Sequence, residues 1–138
     1  MSDNLWVFDL ENTIFSYVKT KIMSQLKSKY PDIFVTNADW TTFKAVFPTV
    51  YIHELSGIEQ GMDINGQSIN AVLTSFQIEV VTNTNQRDAK NIIAVVADIF
   101  KELRFTITAM PEFSNPEQGT YRSIMRLRRV IGANDSLI

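Results

Sequence analysis

The sequence predicts an α+β fold, a single antiparallel or mixed β-sheet with two amphipathic helices packed on one face. Three observations lead there. Apolar residues recur at helical spacing in two separate stretches, Ile14 to Tyr30 and Ala89 to Leu103. Other runs alternate apolar and polar residues with the period of two expected of strands. The order is helix, strands, helix, two-strand hairpin, which lacks the βαβ alternation of a parallel doubly wound sheet.

The first helix is expected from about Leu10 to Lys29. Ile14, Phe15, Val18, Ile22, Leu26 and Tyr30 form its apolar stripe, and Lys19, Lys21, Lys27 and Lys29 occupy other faces. Lys27 and Lys29 suit the negative end of the helix dipole, and Pro31 stops the helix. Leu5-Trp6-Val7-Phe8 lies outside this stripe. It reads as a staple at the helix entry or, with residues 1–9, as an N-terminal arm reaching a neighbour.

Ile33-Phe34-Val35-Thr36 is a short strand, followed by the turn-like Asn37-Ala38-Asp39. A second extended run, Phe43 to Leu55, contains Pro48, which favours an edge position or a bulge. Within it Val50 and Ile52 alternate with Tyr51 and His53. Ser56 to Asn70 reads as a loop bearing Gly57, Gly61 and Gly66, with a tight turn at Asn65-Gly66. It also carries Ile58, Met62, Ile64 and Ile69, either as a docking element that orders on contact or as a hairpin extended into the core.

A long strand follows from about Ile69 to Thr82, with Val72, Phe76, Ile78 and Val80 in phase. Thr82-Asn83-Thr84-Asn85 supplies N-cap candidates for the second helix, which begins at Arg87-Asp88 and reaches about Arg104. Ala89, Ile92, Val96, Ile99 and Leu103 give it a broad apolar face suited to a sheet. Phe105 to Phe113 alternates again, and Ser114 to Gly119 links it to a closing strand, Tyr121 to Val130. There Tyr121, Ser123, Met125 and Leu127 share one face, and Arg122, Ile124, Arg126 and Arg128 the other, with Arg129 opposite the arginine row.

The chain has 138 residues, 45% of them hydrophobic, the size and composition of one ordinary domain. Residues 1–138 are therefore read as a single domain without repeats or linkers. A net charge of −2 leaves no overall basic footprint for nucleic acid. With no cysteine, disulfides and thiolate metal centres are excluded. No stretch approaches the roughly 18 apolar residues of a membrane span, and Ser2, Asp3 and Glu11 break the pattern of a signal peptide. A soluble, intracellularly made protein is expected.

Candidate chemistry is thin. Val7-Phe8-Asp9-Leu10-Glu11-Asn12-Thr13 is similar to the first motif of haloacid dehalogenase-type phosphatases, an apolar strand ending in Asp-x-Asp-x-Thr. In that alternative Asp9 is the nucleophile of a magnesium-dependent reaction. Glu11 replaces the second Asp, however, and the later acidic pair is missing; acidic residues in a first helical turn are the simpler account. Asp63-Ile64-Asn65-Gly66 has the start of a calcium loop, but Thr74 stands where the bidentate Glu belongs. The only histidine, His53, has no nucleophile or acid at a recognisable spacing and reads as structural or solvent-facing. The arginine row has three readings: cross-strand pairing with Glu79 and Gln77, protein contact, and phosphate contact in a small nucleic-acid-binding module. No enzyme, cofactor or metal is expected.

The order of elements, the size and several strings resemble one family, the tail terminator or tail completion proteins of long-tailed phages and prophages. The strings are Glu11-Asn12-Thr13-Ile14-Phe15, Tyr51-Ile52-His53-Glu54-Leu55, Phe76-Gln77-Ile78-Glu79-Val80 and Gln86-Arg87-Asp88-Ala89. The resemblance implies a virion protein of the tail and neck, assembled in the host cytoplasm as a homo-oligomeric ring, commonly a hexamer. Such a ring caps the tail tube protein, ends its polymerisation and offers its other face to the head–tail connector protein. DNA passes through the lumen unread, and no membrane is involved. The neighbouring alternative is a head-completion protein, a stopper or adaptor. Candidate interface residues are Trp6, Phe8, Ile58, Met62, Ile64, Arg122, Arg126 and Arg128.

Overall fold

The computed structural model describes residues 3–38, 46–61, 66–115 and 119–137. Along the chain run α1 (Leu5–Leu26), β1 (Phe34–Thr36), β2 (Thr49–Gln60), β3 (Ala71–Thr82), α2 (Gln86–Glu102), β4 (Thr106–Ser114) and β5 (Tyr121–Gly132). Among the described residues the strands form one five-stranded sheet in the order β1-β2-β3-β5-β4. β1 pairs with β2 in parallel and the other pairs are antiparallel, so the sheet is mixed. Both helices cover one face, as the two amphipathic stripes predict.

Register explains which face is covered. Across β2, β3 and β5, Ile52 sits opposite Ile78 and Ile78 opposite Met125, while Phe76 sits opposite Leu127. All five are fully buried. On these rows α1 lays Leu10, Ile14, Val18, Ile22 and Leu26, and α2 lays Ile92, Ile93, Val96, Ile99 and Phe100, making one hydrophobic cluster. Burying a large aliphatic side chain stabilises the fold by about 1.5–3 kcal/mol, so these rows decide the orientation of the sheet.

Local chemistry sets the ends of α2. Asn85 caps it, its side chain accepting from the Asp88 amide at 2.8 Å. Tyr30 Oη donates to Asp88 at 3.1 Å and ties the chain leaving α1 to that cap. At the other end Arg104 adopts φ 65°, a left-handed turn, and the Phe105 amide reaches the Phe100 carbonyl at 3.0 Å.

Three sequence expectations need correction. First, α1 starts at Leu5, not Leu10, so Leu5–Phe8 is helical and residues 5–9 do not form an arm. Val7 and Leu10 continue the Ile14 stripe backwards, which an unbroken apolar run conceals. Asn4 fixes this end to the β2–β3 connection: its Oδ1 accepts from the Ile69 amide at 2.9 Å and its Nδ2 donates to the Gln67 carbonyl at 3.0 Å. Second, Pro48 precedes β2, which is an inner strand between β1 and β3. The first part of that expected run, residues 43–45, lies outside the described residues. Third, β2 continues to Gln60, five residues into the stretch expected to be loop. The Asn65-Gly66 turn and the calcium-loop string fall on residues 62–65, outside the described residues, apart from Gly66.

Arg129 falls on the helix-covered face, opposite the arginine row as expected, and is buried. Its guanidinium donates to the carbonyls of Leu103 at 2.8 Å, Leu137 at 2.8 Å and Ser136 at 2.9 Å. One cation thus joins the end of α2, strand β5 and the chain's last described residues. Replacing it by leucine leaves three carbonyls without that donor. Arg129→Leu is expected to lower unfolding stability by about 2–4 kcal/mol in urea titration. Faster amide exchange at residues 133–137 should accompany the loss.

Candidate protein interface

The uncovered face of the sheet is a grid set by register. Tyr51, Glu79 and Ile124 form one row; His53, Gln77 and Arg126 the next; Leu55, Ser75 and Arg128 a third. Arg122 Nε lies 2.6 Å from Glu79 Oε1, and Arg126 Nε donates to Gln77 Oε1 at 3.0 Å. Cross-strand pairing therefore accounts for two members of the arginine row. Arg128 is exposed and has no ion-pair partner among the described residues. His53 is solvent-facing, its ring stacked on Tyr51 at 5.7 Å.

Beyond Arg128 the face turns apolar. The β2–β3 register slips between Leu55 and Ile58, a bulge that inserts one extra residue on β2. Strict alternation would have put Leu55 and Ile58 on opposite faces. With the bulge, Ile58 pairs with Leu73, and Leu73 with Val130, on the uncovered side. Ile58 is 57% exposed and Val130 53%. Gly57 in the bulge lets β2 pass close to β3, where a Cβ would meet Val72 Cγ2 at 3.1 Å.

On the opposite side of the same sheet end lies a groove of about 340 Å³ between α1 and the β2–β3 pair. Val7 and Phe8 form its helical wall, and Phe8 is 74% exposed. Glu11, Glu54 and Glu59 line it, with Val72 and Thr74 on its strand side. Glu54 follows Val50 and Ile52 in phase, so it points to the helix-covered face beside Phe76. Its Oε2 is buried with no hydrogen-bond partner among the described residues. Burial, and secondarily the charge of Glu11, hold its carboxyl above the usual glutamate value. A carboxylate in phase with core residues was the signal in the sequence for this site, and it passed unused.

The remaining predicted residues separate. Trp6 is half-buried and packs on the core, so it belongs more to the fold than to a surface. Met62 and Ile64 lie outside the described residues. Asp9 sits within helix α1, so the apolar strand that the phosphatase motif requires is absent. Among the described residues no cluster of three or more His, Cys, Asp or Glu is arranged to hold a metal ion. No described helix is long and apolar enough to cross a membrane. Neither the protein-family models nor the curated proteins give a match to this chain.

Two measurements follow from these contacts. Folded Glu54 keeps its proton at pH values where the unfolded chain has lost it, so its ionisation opposes folding as pH rises through and above 4.5. Glu54→Gln should therefore raise stability near neutral pH, by at most about 1 kcal/mol for a half-exposed group. The gain should vanish on acidification to about pH 3, well below the ordinary glutamate value of 4.5, where both states are protonated. For the ion pair, a double-mutant cycle with Arg122→Ala and Glu79→Ala should give a coupling of about 1 kcal/mol, reduced by salt.

Proposed function

We propose that this chain is a structural subunit of a tail-terminator ring, which caps a phage tail tube, halts its growth and joins the tail to the head connector. The observation that carries the reading is a sheet with one face buried under both helices and no described helix on the other, which buries Thr49, Val81 and Glu79 at one end and exposes Ile58, Arg128 and Val130 at the other. That face ends in the apolar row Ile58, Leu73 and Val130 beside Arg128, which has no ion-pair partner among the described residues. A subunit with one buried sheet face and an exposed apolar patch at the end of the other is suited to completion by other chains. The resemblance of its element order and strings to tail completion proteins names the assembly. In it the protein works as a homo-oligomeric ring, commonly of six subunits, located at the neck of the virion. The tail tube protein and the head connector are its partners, and DNA crosses the lumen without base contacts.

The test is the mass of the protein in solution, alone and with polymerising tail tubes, together with the tube-length distribution. Ring-sized particles at tube ends and arrested tube growth are expected. A protein that stays monomeric in both settings and leaves tube length unchanged refutes the reading.

A further inference from the structure

The groove at the start of α1 and the apolar row on the far side of the sheet are complementary in charge, and each carries an exposed apolar side chain. The groove presents three carboxylates, Glu11, Glu54 and Glu59, around the exposed Phe8 ring. The row presents Arg128, free of an ion pair among the described residues, beside the exposed Val130 and Ile58. Glu59 and Ile58 are sequence neighbours on β2, so their side chains leave the sheet in opposite directions. The two surfaces therefore sit back to back at one end of the sheet, separated by its thickness.

From this placement we propose that the chain associates with a second copy of itself head to tail, the Arg128–Val130 row of one subunit seating in the Glu11–Glu54–Glu59 groove of the next. The proposal rests on the reading above that the chain assembles with itself, and it names the surfaces. Self-pairing of either surface is disfavoured: groove on groove sets carboxylates against carboxylates, and row on row sets Arg128 against Arg128. Only the cross pairing matches anion to cation and apolar side chain to apolar side chain. A contact made from two different patches is heterologous; repeated, it closes a ring where the rotation between subunits closes and grows an open filament where it does not. An arriving guanidinium also supplies Glu54 Oε2 with the donor it lacks, and favours the ionised carboxylate that burial disfavours.

Two variants test this together. Phe8→Ser/Glu59→Ser disables the groove, and Arg128→Glu/Val130→Asp disables the row; all four side chains are exposed, and circular dichroism with a cooperative melt checks folding. Each variant alone is expected to be monomeric under conditions where the unaltered protein assembles. Mixed, they should form a one-to-one dimer and nothing larger, because each retains one working surface and the two disabled surfaces, a groove still acidic through Glu11 and a row made acidic, do not attract each other. The milder Arg128→Gln and Glu59→Gln should each weaken association about tenfold, with the loss growing smaller as salt is added. If the unaltered protein forms rings and both paired variants do too, these surfaces are wrong while the ring reading stands. If the variants are monomeric and their mixture also stays monomeric, the head-to-tail pairing is refuted. An unaltered protein that remains monomeric, alone and on tail tubes, overturns both.

Discussion

Phe76 in the middle of β3, Phe100 in the last turn of α2 and Phe105 just before β4 meet as a trio of rings. Their centroids lie 5.5, 5.8 and 5.2 Å apart, with two of the three contacts edge-on. Such aromatic contacts add about 0.5–1.5 kcal/mol each beyond the area they bury. More important is what the trio commits. It fixes α2 across β3 and β5, and the left-handed turn at Arg104 returns the chain directly into β4. Once that face is closed, α1 has the β2 side of the same face left to cover, and neither described helix lies on the other face of the sheet.

The incompleteness of α1's cover produces the groove. The helix lies on the sheet through Ile14, Val18 and Ile22, and Asn4 ties its first turn to the β2–β3 connection. Between that anchor and the packed stripe, Phe8 and Glu11 stand over Glu54 and Glu59 without filling the space. Glu54 is the sharpest consequence, a carboxylate set in a core register whose Oε2 has no donor among the described residues. The covered face thus contributes an acidic recess, and the free face an apolar row with a cation. Both arise from the same end of the hairpin.

Much of the architecture was legible in the residues. Val72, Phe76, Ile78 and Val80 announced β3, Asn85 announced the cap of α2, and Met125 and Leu127 separated the faces of β5. The pairing of Arg122 with Glu79 and of Arg126 with Gln77 was also among the readings the sequence allowed. Less legible was the start of α1, because four consecutive apolar residues carry no period. The extension of β2 was hidden as well, since glycine and polar residues after Leu55 look like a loop until a partner strand pairs with them.

By itself the sequence determined the kinds of elements, their order, and which side of each seeks burial, because periods of two and of about 3.6 are properties of the local chain. It also determined that cysteine chemistry is absent. Tertiary structure decided what depends on partners distant in the chain. The bulge that turns Ile58 onto the free face exists only in register with Leu73. The buried cation Arg129 is satisfied only by carbonyls of Leu103, Ser136 and Leu137. The groove exists only because α1 and the β2–β3 hairpin diverge. Long-range register and packing are shared between segments, so no single segment's pattern contains them.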